Sequence, residues 1–316
     1  MKKFLIVIVS LFVISTICIY IFIPATVNIS RAVSVSCTQD GAYRFLSHQD
    51  NWLKWWPSDN ADSGKTHTGN ALSYKDYGYK IIPTASDVTA IQVSNAEQQV
   101  ISTINIQPLL IDSVSVLWQC SLSTGINPVK RLQQYVYARQ MENNMGDILA
   151  SFRIFMSSKK NVYGSDIEQI KVTDTLLVAT KKIFAVYPGT TEIYALINNL
   201  KTYITASGAQ QTHYPMMHVR TTDSNNYEAM VAIPVNTEIK IRDGIFIKRM
   251  APGKILVTDS IPGGDYSVKQ AFKQLENYVG DYKKISPAIP FESLETDRSS
   301  EPDTLKWVTR IYYPVF

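Results

Sequence analysis

The C-terminal half reads Phe184-Ala185-Val186-Tyr187-Pro188-Gly189, then a helical stretch to Tyr214-Pro215, then Val231-Ala232-Ile233-Pro234-Val235. A matching stretch follows. It runs from Ile255-Leu256-Val257 and Pro262-Gly263-Gly264 through another helical stretch to Ile289-Pro290 and closes on Ile311-Tyr312-Tyr313-Pro314-Val315. Pro188 precedes Pro215 by 27 positions and Pro262 precedes Pro290 by 28, so a unit of about 55 residues is written twice. A unit that cannot bury its apolar face alone must pack on its twin, and the seam between them is the first place to seek a ligand cleft.

In the first copy Ile193, Leu196, Ile197, Leu200 and Ile204 share one helical face, with Thr190 or Thr191 as cap and Gly208 after the end. In the second, Val268, Ala271, Phe272, Leu275 and Val279 do the same. Each helix follows one strand and precedes two. Those pairs are Met216 to Thr221 with Glu228 to Val235, and Phe291 to Thr296 with Leu305 to Val315. Two βαββ units of this kind can form one continuous sheet with both helices on one face.

Upstream, Ala32 to Cys37 alternates as a strand, and Asp40 caps a helix over Gly41 to Leu46 that leads into Trp52-Leu53-Lys54-Trp55-Trp56-Pro57. Strand-like runs follow at Tyr77 to Ile82, Val88 to Val93, Val100 to Ile106 and Val114 to Cys120, separated by Pro83, Asn95 and Pro108. They predict an antiparallel sheet. Asn127 as N-cap and Pro128 at the first helical position then open a helix with Leu132 and Val136 on one face. It is expected to break near Asn143-Asn144 and resume through Ile148, Leu149, Phe152 and Phe155.

Behind Met1-Lys2-Lys3, the twenty residues Phe4 to Ile23 carry no charge. As a helix they span roughly 30 Å, a hydrocarbon core's thickness. The lysines hold the N-terminus in the cytoplasm. Ile21-Phe22-Ile23-Pro24-Ala25 lacks a small-x-small site, so an uncleaved anchor is favoured over a signal peptide, and bulky Ile17 speaks against lipidation at Cys18. The body then lies outside the cytoplasm, where Cys37 and Cys120 either pair or serve as two buried thiols.

A formal net charge of +4 with scattered Lys and Arg gives no basic stripe, so nucleic acid is not an expected partner. Ser63-Gly64-Lys65-Thr66 lacks the glycine a phosphate loop needs, which here is Asp59. His48, His67, His213 and His218 show no metal-ligand spacing, and no nucleophile elbow is present. No metal, cofactor or catalytic residue is assigned. Strand alternation puts Glu292 and Leu294 on one face and Glu295 with Asp297 on the other, so the acids do not converge.

Strand, short helices, meander and long helix, with Trp52, Trp55, Trp56 and Pro57 near the start, resemble the START and polyketide-cyclase-like helix-grip superfamily over about residues 26 to 160. The resemblance implies an apolar cavity; the Trp cluster is read first as a plug at the end of the barrel. Met230 to Val235, Gly253 to Val257, Gly263-Gly264, Pro290-Phe291-Glu292 and Thr309 to Val315 resemble the GyrI-like effector-binding domain of AraC-type regulators. That likeness implies a groove between the repeats for small, often cationic, lipophilic molecules. It places Glu292 toward the ligand, with Tyr187, Tyr214, Tyr266 and Trp307 as aromatic lining, against the plainer readings of a surface carboxylate and packed core rings. Leu294 stands where the family often has Tyr, which lessens the implied cation selectivity. No helix-turn-helix precedes the domain, which speaks against direct transcriptional control.

The expected architecture is α+β: a membrane anchor over 1–24, a helix-grip domain over 25–160, a linker over 161–176 and a duplicated βαββ domain over 177–316. The expected function is a membrane-anchored, extracytoplasmic, non-enzymatic protein that binds an amphipathic or cationic small molecule. A hydrolase or cyclase with Glu292 as acid or base, paired with Tyr187 or Tyr266, is the competing class. Protein partners are not legible.

Overall fold

The structure is a computed structural model that describes residues 2–57, 71–83, 88–173, 176–223, 225–242, 244–286 and 288–316. The loop-like Ser63-Gly64-Lys65-Thr66, Asp59 and His67 lie outside the described residues. The chain is α+β, with two antiparallel sheets and seven α-helices among the described residues, and divides into two compact units, Met1–Ser158 and Lys159–Phe316.

The first unit opens with α1 (Lys2–Phe22), of which Phe4–Phe22 is long and apolar enough to cross a membrane, a test that a signal sequence also passes. The foot of α1 is tied to the unit's body. Tyr20 donates its hydroxyl to the Ile126 carbonyl, and the Arg131 guanidinium lies 4.8 Å from the Tyr20 ring. Buried Arg131 donates from Nε to the Ile23 carbonyl at 2.8 Å, and Thr124 Oγ1 donates to the Pro24 carbonyl at 2.8 Å.

Next come β1 (Thr26–Val35), α2 (Gln39–Leu46), α3 (Gln49–Trp52), β2 (Leu72–Tyr74), β3 (Tyr77–Ile82), β4 (Thr89–Ser94), β5 (Gln99–Leu110), β6 (Ser113–Ser123) and α4 (Pro128–Met156). The sheet order is β1-β6-β5-β4-β3-β2. Val114, Val116 and Trp118 alternate inward on β6, while Met141, Met145, Ile148 and Phe152 recur at helical spacing on α4, and all seven are fully buried. Trp52, Trp55 and Trp56 interlock, Trp55 meets Phe152 edge-on at 4.9 Å, and all three indole nitrogens donate to backbone carbonyls. The rings therefore fill space between α3 and α4 with their polar edges satisfied.

Several expectations for this unit are corrected. Thr38, not Asp40, caps α2, its hydroxyl accepting from Gly41 N. Asn127 does cap α4, but α4 runs unbroken through Asn143-Asn144, because Asn144 is buried on its packed side. Leu132 and Val136 face outward, at 47% exposure each. Pro108 lies within β5, at a register irregularity where a missing N–H is tolerated. Cys37 is buried and Cys120 half-buried, and the two are not joined by a disulfide.

The second unit holds α5 (Lys159–Tyr163), β7 (Ile167–Lys171), β8 (Leu176–Phe184), α6 (Thr190–Ala206), β9 (Met216–Thr221), β10 (Tyr227–Pro234), β11 (Phe246–Arg249), β12 (Lys254–Thr258), β13 (Ile261–Pro262), α7 (Asp265–Asp281), β14 (Phe291–Leu294) and β15 (Val308–Val315). Its sheet runs β11-β8-β10-β9-β14-β15-β12-β7, with β13 beside β15. Residues 161–176, expected as a linker, hold β7, which pairs with β12 along its whole length. The last two strands are shorter than expected: β14 stops at Leu294, and Thr304–Lys306 forms a 3-10 turn before β15. Gly189 caps α6 in place of Thr190 or Thr191, and Gly208 ends it at φ +73°.

Strand alternation divides this unit's interior. Val178, Met217, Ala229, Val231, Ile233 and Leu294 pack with Ile193, Ile197 and Leu200 of α6. Leu177, Ala179, Met216 and Ala232, with Phe246, Met250 and Phe291, form a second cluster on the opposite sheet face.

The bond from Arg131 to Ile23 generates the first prediction. Arg131→Met removes the charged donor and leaves the buried carbonyl unpaired, at a cost of about 1–3 kcal/mol. Urea unfolding of the full chain, followed by Trp fluorescence, checks it, and faster hydrogen exchange at residues 23–26 is expected.

Candidate functional site

The short strand β14 sits in the middle of the sheet and meets β9 through Glu292↔Met217 and Ser293↔Met216. Since Met217 and Leu294 belong to the α6-side cluster, alternation sends the Glu292 side chain to that same face. The sequence reading of Glu292 and Leu294 on one face holds, and the plainer reading of Glu292 as a surface carboxylate does not: its side chain is only 14% exposed.

Arg298, on the turn after β14, is the principal neighbour. Its side chain is 5% exposed, with Nη2 3.7 Å from Glu292 Oε2 and Nη1 3.9 Å from Asp265 Oδ1. The guanidinium stays short of hydrogen-bonding distance to Glu292 while Nη2 donates to Thr309 Oγ1 at 2.7 Å and the planar group lies 4.9 Å from the Trp307 ring centre. Its Nε is buried without a partner. The turn is pinned through Tyr194, whose hydroxyl accepts from Arg298 N at 2.8 Å and donates to the Thr296 carbonyl at 3.0 Å. Trp307 is itself fixed by Nε1 donating to the Glu301 carbonyl at 2.8 Å.

Among the described residues, Glu292 accepts no hydrogen bond and has only this loose ion pair. Burial pushes its carboxyl up to about 7; Arg298 and Lys269 pull the other way, and Asp265 adds to the rise. Tyr187 stands in the same field. Its hydroxyl is pushed up to about 12, first by burial and then by Glu292 and Asp265, and it meets Tyr227 edge-on at 5.5 Å while Lys269 Nζ sits 4.7 Å from its ring centre.

Of the five expected site residues, the structure thus gathers Glu292, Tyr187 and Trp307. Tyr214 is 44% exposed and packs edge-on against His213, and Tyr266 is 77% exposed on the first turn of α7. Tyr187 is itself 39% exposed, at the edge of the group, so the rings and charges that are inside are Trp307, Arg298 and Glu292. Arg298, Asp265, Lys269 and Tyr194 were missed, and of these only Asp265, directly after Gly263-Gly264 at a helix start, carried a sequence signal.

No cluster of three or more His, Cys, Asp or Glu able to hold a metal is found among the described residues. The arrangement instead offers a reachable carboxylate near its titration point, a fixed guanidinium with a spare donor, and aromatic edges. It suits a small molecule with a polar or charged end.

No protein-family model and no curated protein matches the chain. Solved structures to which it is similar include the EcmrR C-terminal domain, 16% identical over 48% of this chain and 98% of that one at TM-score 0.42. SAV2435 bound to tetraphenylphosphonium is 15% identical over 48% of this chain and 94% of that one, at TM-score 0.32. A hydrolase from Listeria innocua is 7% identical over 48% and 92%, at TM-score 0.36. At such identities, with TM-scores below 0.5, these likenesses carry neither a family nor a function to this chain.

Proposed function

We propose that this is a membrane-anchored, extracytoplasmic binding protein whose second unit holds an amphipathic or cationic small molecule at Glu292. The observation that carries the reading is the under-satisfied carboxylate, 14% exposed and without a hydrogen bond among the described residues. A buried charge left this way costs several kcal/mol, which a ligand supplying a cation or donor would offset. A groove between two βαββ repeats is supported by the strand order, in which β8-β10-β9 on one side of the seam is answered by β12-β15-β14 on the other. The first unit is read as a helix-grip domain, supported by a six-stranded antiparallel sheet framed by β1 and closed by the long α4.

An uncleaved α1 is supported by the tie at its foot, and a single pass with a cytoplasmic N-terminus rests on Lys2 and Lys3 in the sequence. Ile23 is 6% exposed within the first unit and its carbonyl holds Arg131, so removal of α1 by a cut after Ala25 would strand a buried guanidinium. Nucleic acid has no part in this reading.

The raised carboxyl also fits the competing class, a hydrolase or cyclase with Glu292 as acid or base. Tyr187, at about 12, stays a neutral hydroxyl at physiological pH and is a poor proton donor, which weighs toward binding. Loss of turnover of small esters in Glu292→Gln, with no change in ligand affinity, would decide for the enzyme.

The pH dependence gives the test. Glu292 binds a cation when ionised, so affinity rises as pH passes upward through about 7. Tetraphenylphosphonium binding to the full chain in phosphatidylcholine nanodiscs should strengthen about tenfold from pH 6 to pH 8, following the ionised fraction. In Glu292→Gln it should be weaker and flat with pH; equal affinity and equal profile in both proteins would remove the carboxylate from the site.

Stability should respond in the opposite sense. The folded-state value of about 7 lies above the ordinary 4.5, so the native state's advantage is full below about 4.5 and is lost as pH rises through about 7. Glu292→Gln should flatten that decline and gain up to about 3 kcal/mol over the wild type at pH 8, less whatever Arg298 loses with its partner. Urea unfolding between pH 5 and pH 8 measures it.

A further inference from the structure

The opposite face of the same sheet carries a pocket of about 230 Å³. Its floor is the outward side of the central strands: Leu177 of β8, Met216 of β9, Ala232 of β10 and Phe291 of β14, the alternates of the residues that pack on α6. Its rim is the segment Met250 to Lys254 together with Ile289 and Phe316. Phe291 is held in place by parallel stacking on Tyr312, with centroids 5.1 Å apart.

Two features of the lining point to a ligand. The apolar part is rich in thioethers, with Met216, Met230 and Met250 among the lining residues. Unbranched and polarizable, methionines adapt to irregular or variable apolar shapes. The charged part has one sign: Lys248, Arg249 and Lys254 line the pocket and no Asp or Glu does, while burial lowers the pKa of the His218 imidazole beside them and favours its neutral form. Arg249 is engaged by Glu238 at 2.7 Å. The half-buried Lys248 has only the Met230 sulfur near its Nζ, at 3.7 Å, and no carboxylate partner among the described residues. A partly buried ammonium beside an apolar hollow is costly until an anion meets it.

We infer that this pocket binds an anionic single-chain amphiphile, a medium-length acyl or alkyl chain seated among the methionines with its acidic head on Lys248 and Lys254. The site is separate from Glu292, which points through the sheet to the other face, and it selects the opposite charge. A free alkyl carboxylate and the acyl chain of an anionic lipid share this chemistry.

Photolabelling of the full chain in phosphatidylcholine nanodiscs tests the assignment, with dodecanoate bearing a diazirine near its methyl end as probe. Labelled peptides should map to residues 216–218, 230–232 and 246–254. Lys248→Glu, at a position open enough to accept the change, should lower labelling about tenfold. Ala232→Trp, which fills the floor, should lower it to background; should that variant fail to fold, Lys248→Glu and the competition arms decide alone. Competition by unlabelled dodecanoate marks a free carboxylate as the source, and competition by phosphatidylglycerol in the discs marks an anionic lipid. Labelling elsewhere, unchanged labelling in Lys248→Glu, or equal competition by dodecyltrimethylammonium would overturn the proposal.

Discussion

The second unit is organised by one constraint: a glutamate on the central strand of a sheet must point to one face, and that face is covered. The pairing of Glu292 with Met217 and the burial of Leu294 two residues on hold the carboxylate on that face, at 14% exposure, unless the strand's register breaks. Its neighbours follow from that placement. Arg298 is brought back from the turn by Tyr194, its guanidinium is held by Thr309 and Trp307, and Asp265 and Lys269 approach from the start of α7.

Compensation is nevertheless incomplete, and the geometry says why. An Arg–carboxylate pair is strong when two parallel N–H···O bonds form, whereas here the nearest approach is 3.7 Å and Nη2 bonds Thr309 instead. Burial therefore outweighs the attraction of Arg298, and the carboxyl sits near 7 instead of staying ionised. A pair optimised for stability alone would have closed; this one leaves a proton, a donor and an aromatic edge within reach of a third partner.

Much of this was legible in the sequence where periodicity spoke. The inner face of α6, the bounds of β3 and β9 and the facing of Glu292 follow from spacing of 3.6 or 2, and the start of α4 from the capping pair Asn127-Pro128. Other features had no such signal. Only the first residue of β7 is buried, so this edge strand reads as a linker until β12 is beside it. Asn143-Asn144 is a poor helix pair by propensity, yet α4 continues because its packing against the sheet overrides that preference. Arg298 lies outside any regular element, and its meeting with Glu292 depends on a turn that Tyr194 and Thr309 hold from distant parts of the chain. Tyr214 and Tyr266 satisfied a search for rings near the seam, but ring type and sequence distance do not report exposure.

The two faces of the sheet also differ in a way that neither composition nor net charge reveals. On the α6 side Glu292 and Asp265 stand with Arg298 and Lys269, so both signs are present and the balance turns on one proton. On the other side Lys248, Arg249 and Lys254 stand without an acid in the lining. Phe291 and Glu292 are consecutive residues that point in opposite directions, and β14 touches β9 through only two register pairs. One four-residue strand therefore supplies the carboxylate of one site and an aromatic wall of the other. The strict period of two along β14 is what keeps an anion-seeking and a cation-seeking surface apart within a single sheet's thickness.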